Sequence, residues 1–260
     1  MKHNKLYDKL EYHYRAFDRS KISPDPLEVL HRYSNPEDVE IIGLLSSIFA
    51  YGNINLILRI LDNLGTLVGK HPYDFVKNFD YGKDNKLFRG IRYRFYTESD
   101  IANLFRLLNH AVTEFETLEN LFMNGFNRND ENVKAGIDKF SEWFIANCAK
   151  LKCYTNGIRF MFPMPEKGSA AKRFNLFLRW MVRADELDFG LWKNVKKSQL
   201  VIPVDVHIAR ISKQLGLTSR KNVTWNMAEE ITTNLKKFDS SDPVKYDFAL
   251  CHIGMRKLEF

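Results

Sequence analysis

The chain has 260 residues and a mass of 30.5 kDa, which suit one large domain or two small ones. Its 45% hydrophobic and 27% charged residues exclude a disordered or fibrous protein. No apolar run reaches the roughly 18–20 residues of a membrane span, and the first five residues lack the apolar segment of a signal peptide. Three cysteines are too few for a disulfide framework or an all-cysteine iron–sulfur or zinc site. We therefore expect a cytoplasmic protein without a metal or cofactor.

The net charge of +7 is concentrated in one part of the chain. Residues 159–221 contain 13 Lys and Arg against 5 Asp and Glu, whereas the rest of the chain has 26 basic and 27 acidic residues. A concentrated positive charge suits a polyanion, since neutralising phosphates releases counterions. A solvated basic face that aids solubility explains the same pattern.

Helical periodicity recurs along the chain and strand alternation does not, so the sequence predicts an all-α protein. A capping box with a first-turn proline at 34–37 begins a buried helix that ends near residue 50, and a second helix covers 54–64 and ends at Gly65. Thr97 and Ser99 precede a helix that reaches Phe115. The remaining predicted helices cover residues 132–147, 174–182, 206–215, 227–238 and 244–255.

Two linkers bracket the basic region. Residues 162–165 contain two prolines that prevent a helix, and residues 166–169 then turn the chain into the apolar helix 174–182. Residues 201–205 are extended and lead to a helix with Asp205 as its N-cap. We interpret these two helix entries as the functional core.

Lys172 follows a turn of small residues, Gly168-Ser169-Ala170-Ala171, and precedes Arg173. Small residues let the backbone approach a ligand, and free N–H groups at a helix start suit phosphate. A lysine here can contact phosphate or, if its pKa is lowered, act as a nucleophile. A solvated lysine in the first turn of a helix is the alternative.

Asp205 begins a polar cluster in an apolar stretch, with His207 and Arg210 two and five residues later. Helix capping alone explains the aspartate, and a partly buried, hydrogen-bonded side chain explains the histidine. The grouping nevertheless makes all three residues candidates for a site.

The segment 203–217, Pro-Val-Asp-Val-His-Ile-Ala-Arg-Ile-Ser-Lys-Gln-Leu-Gly-Leu, resembles the signature of the helix-hairpin-helix DNA glycosylases, the endonuclease III superfamily. Residues 168–175 are similar to the hairpin motif Gly-x-Gly-x-Lys-Thr-Ala-x, with Lys172 on the lysine. Residues 34–64 resemble the opening helices of that superfamily, in which a polar dipeptide lines the base pocket. The whole chain also resembles an uncharacterised bacterial family with this core.

The resemblance implies a two-lobed all-α fold with a cleft between the lobes. Residues 1–260 would form a single two-lobed domain, with 34–160 as the helical-barrel lobe and 161–221 as the hairpin and aspartate segment. It also implies a base-excision glycosylase and abasic-site lyase that flips a damaged base out of duplex DNA. The partner would be DNA, without a membrane, and the protein a monomer.

Each site residue takes its role from the resemblance. Lys172 would attack C1′ of the sugar and form a Schiff base, and Asp205 would stabilise the positive charge and assist deprotonation. DNA contacts would come from the hairpin and from the aspartate helix, and the base pocket from the interruption after the first helix. The implied DNA-binding residues are Gly168, Ser169, Ala170, Arg173, His207 and Arg210, and the implied base-pocket residues are Tyr51, Gly52 and Asn53.

The chain departs from the motif at three places. Ala170 replaces the second hairpin glycine, Val206 replaces the usual threonine, and the 33 positions from Lys172 to Asp205 exceed the usual spacing. A longer separation of this order resembles an archaeal oxoguanine-processing branch. A non-catalytic nucleic-acid-binding protein with the same fold is the main alternative, and a helical interaction module without a nucleic-acid role is another.

A second basic segment alternates with aromatic residues at Tyr93-Arg94-Phe95, close to Arg89 and Arg92. This pattern suits phosphate contact combined with base stacking. A loop that packs its aromatic side chains into the core gives the same pattern.

Overall fold

The computed structural model describes the backbone of residues 2–256 and the side chains of residues 5–251. Within this part of the chain there are fourteen α-helices and no β-strand, only isolated bridges between Tyr93 and Tyr96 and between Ala184 and Phe189. The all-α prediction is confirmed. The helices are α1 (Lys2–Arg15), α2 (Leu27–Leu30), α3 (Pro36–Phe49), α4 (Ile54–Val68), α5 (Pro72–Lys77), α6 (Tyr81–Asp84), α7 (Glu98–Phe115), α8 (Leu118–Met123), α9 (Lys134–Lys150), α10 (Asn156–Met161), α11 (Lys172–Val182), α12 (Val206–Gln214), α13 (Trp225–Leu235) and α14 (Asp247–Arg256).

Side-chain caps account for several of the predicted helix starts. Thr97 caps α7 in a full capping box with Asp100, and Asp205 caps α12 as expected. Helix α3 differs slightly, because Asn35 rather than Ser34 accepts the hydrogen bond from Glu37 N–H. Such caps join residues two or three positions apart, so the sequence shows them directly.

Several helices extend beyond their predicted ends, among them α9, which continues past residue 147 to Lys150, and α13, which starts at Trp225 rather than at residue 227. Helix α4 continues past Gly65 to Val68, because Val68 prolongs the buried stripe of Leu61 and Leu64 and the chain turns only at Gly69. Helix α11 starts at Lys172, two residues before the apolar stretch. The sequence prediction also missed α1 and five helices of four to six residues (α2, α5, α6, α8 and α10), which are too short to show a helical period.

The chain divides into two compact units. The first comprises the residues up to Ser23, Arg128–Lys134 and the residues from Pro165 onward; the second comprises Pro24–Asn127 and Ala135–Met164. The first unit therefore contains α1 and α11 to α14, and the second contains α2 to α8, α10 and all of α9 except Lys134.

Each unit has its own aromatic core. In the first unit Trp180, Trp192 and Trp225 are fully buried, and the Trp192 ring meets Phe177 edge-on at 5.3 Å. In the second unit Phe88 and Phe105 pack with their centroids 4.8 Å apart. Among residues 2–256, no helix has both the length and the apolar character needed to cross a membrane.

Candidate active site on the first unit

The turn before α11 is built by local hydrogen bonds. Gly168 and Ala171 both adopt the left-handed backbone conformation, with φ of +87° and +46°. Ser169 Oγ accepts a hydrogen bond from Ala171 N–H at 3.1 Å, and the Asn175 amide donates to the Ala170 carbonyl at 3.1 Å. These contacts hold the turn in the shape that places Lys172 at the first position of α11.

Lys172 and Asp205 come together although they are 33 positions apart. Lys172 Nζ lies 2.9 Å from Asp205 Oδ2, and the two side chains are 33% and 18% exposed. The other carboxylate oxygen, Oδ1, accepts from His207 N–H at 2.8 Å and from Ile208 N–H at 2.9 Å. One carboxylate therefore caps α12 and pairs with the lysine at the same time.

The two partners shift each other's pKa. Burial alone lowers the pKa of the Lys172 ammonium, but Asp205, Cys251 and Asp247 outweigh it, so the pKa of Lys172 is raised. Burial alone raises the pKa of Asp205, but Lys172 and the two N–H donors of α12 hold it below its usual value. At neutral pH the pair is an ammonium and a carboxylate.

A buried ion network lies close to this pair, and the sequence prediction missed it. Arg179 Nη1 is 2.5 Å from Asp247 Oδ2, and the same guanidinium is 3.3 Å from Asp188 Oδ1. Arg183 pairs with Asp188 and, at 2.9 Å, with Asp242. Burial raises the pKa of Asp247 to about 6, against the attraction of Arg179. A charged side chain inside an apolar helix needs a buried partner of opposite charge. Arg179 in the apolar stretch 174–182 was therefore the signal in the sequence that pointed to the network.

Burial of three arginines reduces the charge available to a ligand. Arg173, Arg179 and Arg183 belong to the basic region of the sequence, yet they are 8%, 3% and 3% exposed. These three of the 13 cations counted in residues 159–221 are therefore largely inaccessible to a ligand at the surface.

The implied DNA-binding residues differ in accessibility. Gly168 and Arg210 are exposed, and Ser169 and His207 are half-buried. An added Cβ at Gly168 meets no atom within 4 Å, so the backbone there is open to approach. Ala170 is 8% exposed, like Arg173, and both offer little surface to a ligand.

Helix α12 also borders a shallow basic hollow of about 430 Å³. Its charged lining residues are Arg210, Lys213 and Lys221, and Val206 and Val223 add exposed apolar surface. Among the residues that the structure describes, no carboxylate lines it. The hollow begins at Val206, directly after Asp205.

The implied base-pocket residues belong to the second unit. Tyr51 is half-buried, Gly52 is exposed with φ of +103°, and Asn53 caps α4 by accepting from Asn55 N–H at 3.0 Å. The positive φ favours glycine here, because L side chains rarely adopt that conformation, and the Arg94 side chain lies over the position that a Cβ would take.

A comparison with known protein families shows to which family the chain belongs. The profile of a family described as "Protein of unknown function (DUF2400)" matches residues 25–256, which is nearly the whole sequence. The chain belongs to the DUF2400 family. No curated protein and no solved structure shows significant similarity to it.

The match to DUF2400 includes all the candidate residues of both units, from Tyr51 to Arg210. The family description carries no activity with it. The roles of Lys172 and Asp205 in this DUF2400 protein, and its relation to the glycosylases, therefore remain predictions.

Proposed function

We propose that the protein is a DNA base-excision glycosylase with abasic-site lyase activity, with Lys172 as the attacking amine and Asp205 as its partner. One observation carries the proposal: an amine and a carboxylate from distant parts of the sequence lie 2.9 Å apart and both reach solvent. A capping role for Asp205 requires only the Oδ1 contacts with α12. Helix capping does not need the second contact of this carboxylate, the one between Oδ2 and Lys172 Nζ.

The resting ammonium must first lose a proton, and Asp205 Oδ2 is placed to accept it. The neutral amine then attacks C1′ of the sugar, which forms a nitrogen–carbon bond as the glycosidic bond breaks and the base departs with the bonding electrons. The displaced base takes up a proton. Opening of the sugar ring leaves a protonated imine between Lys172 and C1′, and β-elimination of the 3′-phosphate follows from it.

The surroundings of the pair suit a phosphate backbone. Arg210 and Lys213 line the hollow beside Asp205, and Gly168 exposes backbone on the Lys172 side. Contacts of this kind position DNA without reading its sequence. Duplex DNA would thus be held on both sides of the reacting sugar.

Borohydride trapping tests the proposal, because the reductant converts the imine to a stable protein–DNA adduct. We expect wild-type protein to trap DNA containing an abasic site and Lys172→Gln to trap none. Lys167→Gln is the matched control, since it removes an exposed cation from the same turn. Equal trapping by wild type and Lys172→Gln, or no trapping by either, overturns the lysine mechanism.

A non-catalytic nucleic-acid-binding protein is the second candidate. The observation that favours it is the raised pKa of Lys172, which keeps the amine protonated. The attraction of Asp205 raises this pKa more than burial lowers it. It predicts salt-dependent DNA binding, no trapped adduct and no change with Asp205→Asn. Any Lys172-dependent strand cleavage contradicts it.

A further inference from the structure

A cluster of aromatic rings lies at the surface of the second unit. Its members, which we call the aromatic platform, are Tyr51, Tyr93, Phe95, Tyr96 and Phe160. Phe95 meets Phe160 with centroids 4.9 Å apart and Tyr96 at 5.0 Å. Tyr51 contacts Phe160 at 5.2 Å and Phe95 at 5.7 Å. The two outermost rings thus share a support of tyrosines.

Phe95 and Phe160 are the exposed members of the platform, at 49% and 43%. Tyr93 and Tyr96, by contrast, are 5% and 1% exposed. The two exposed rings meet edge to face, with 76° between their planes. Two large apolar rings thus lie side by side with about half of each exposed to solvent.

A buried carboxylate braces the platform. Asp100 accepts hydrogen bonds from the Thr97 N–H and hydroxyl, both at 2.8 Å, and from the Thr155 hydroxyl. Thr97 follows directly after the turn that carries Phe95, and Thr155 caps the helix that carries Phe160. The exposed rings are therefore held in place at their backbones before any partner binds.

In the two segments that supply the exposed rings, every charged residue is a cation. Residues 85–97 contain four Lys and Arg and residues 143–165 contain three, and neither segment contains Asp or Glu. The second unit as a whole carries 14 basic and 16 acidic residues. All seven cations of the two segments are exposed, namely Lys86, Arg89, Arg92, Arg94, Lys150, Lys152 and Arg159.

Two of these cations have a strained backbone. Arg94 and Lys152 are non-glycine residues with φ of +54°. The Arg94 guanidinium lies 5.4 Å from the centre of the Tyr51 ring, in the space that Gly52 leaves open. Such conformations cost free energy and persist where the structure has a use for them.

We propose that the aromatic platform binds single-stranded nucleic acid, with unpaired bases stacking on Phe95 and Phe160 and phosphates contacting the surrounding cations. Exposed rings combined with a cationic border are the two parts of a sequence-tolerant single-strand site. The charge favours this occupant over an apolar protein partner, because the two segments contribute seven exposed cations that complement a polyanion, and the carboxylate of the flanking Glu98 accepts from Gly90 N–H. The proposal does not depend on the chemistry of Lys172.

Fluorescence anisotropy of a labelled 12-nucleotide oligo(dT), with oligo(U) as the RNA arm, tests the platform. We expect Phe95→Ala and Phe160→Ala each to weaken binding about fivefold to a hundredfold, the range of base–aromatic stacking. Phe95→Trp should retain binding because the ring remains, and Phe95→Leu should weaken binding as Phe95→Ala does, because an apolar side chain without a π-face remains. Tyr12→Ala, which removes a 70% exposed ring from the first unit, is the control.

The cations are tested by salt dependence. Arg94→Gln should make the slope of log affinity against log salt shallower by about 0.7, the value for one phosphate contact on a single strand, whereas Lys70→Gln, an exposed cation outside the two segments, should leave it unchanged. Circular dichroism checks that each variant is folded.

Equal binding of the oligonucleotides by Phe95→Leu and wild type would overturn the proposal. So would tighter binding to anionic phospholipid vesicles than to the oligonucleotides, with the same dependence on Phe95. A third contrary result is a Phe95 variant that changes the oligomeric state of the protein but not its affinity for the oligonucleotides. Oligonucleotide affinity measures the platform, whereas borohydride trapping measures Lys172. Failure of trapping and failure of the platform are therefore separate outcomes.

Discussion

Replacing Asp205 with asparagine separates its two roles. Asparagine caps a helix about as well as aspartate, so the bonds from His207 N–H and Ile208 N–H should survive. The ion pair with Lys172 is lost, and because both side chains are partly exposed it contributes about 1 kcal/mol at most. Asp205→Ala should cost about 1 kcal/mol more, since it also removes the cap.

Urea unfolding of Asp205→Asn, Lys172→Gln and the double variant measures the coupling between the two side chains. The pKa of Asp205 is lower in the folded protein than in the unfolded chain, so its carboxylate stabilises the fold above the ordinary pKa of aspartate, near 4. This contribution disappears as the pH falls through the lower pKa of the folded state. The difference in stability between wild type and Asp205→Asn should therefore be present at pH 7 and shrink at pH 3.

Trapping gives the decisive readout. If Asp205 accepts the proton of Lys172, Asp205→Asn should reduce the trapping rate by about a hundredfold or more. If the carboxylate only holds the amine protonated, its removal should lower the pKa of Lys172 and increase trapping at pH 7. An unchanged or faster rate refutes the catalytic role and leaves Asp205 as a helix cap.

Three further predictions follow from the geometry. Because the pKa of Lys172 is raised, the neutral amine becomes more abundant as the pH rises, so trapping should accelerate between pH 6 and pH 9 with a slope near tenfold per unit; a flat profile contradicts this. Gly65→Ala should stabilise the protein by about 0.5–1 kcal/mol in urea unfolding, since Gly65 lies inside α4 and an added Cβ meets only the Tyr33 hydroxyl at 3.5 Å. Gly157→Ala should destabilise it by about 1–3 kcal/mol, since its Cβ would lie 2.6 Å from the Asp100 carboxyl, and an unchanged stability would show that Asp100 does not brace this region.

The sequence was sufficient where the interactions are local. Thr97 and Asp205 bond to N–H groups two or three residues ahead, and the apolar period of α7 repeats over five turns, so both are visible in a short window of residues. Helix existence and caps follow from such short-range bonds. The end of α4 was misplaced because burial of Val68 overrides the low helix propensity of Gly65.

Tertiary packing decided which distant side chains meet and which cations stay at the surface. Lys172 reaches Asp205 because the starts of α11 and α12 lie next to each other within one unit, and Asp247 joins Arg179 from a third helix, α14. Nothing in the order of the residues shows that Arg173 is buried while Arg94 is exposed, since burial depends on what covers a helix or a turn. The 2.9 Å contact and the aromatic platform are for this reason properties of the folded chain alone.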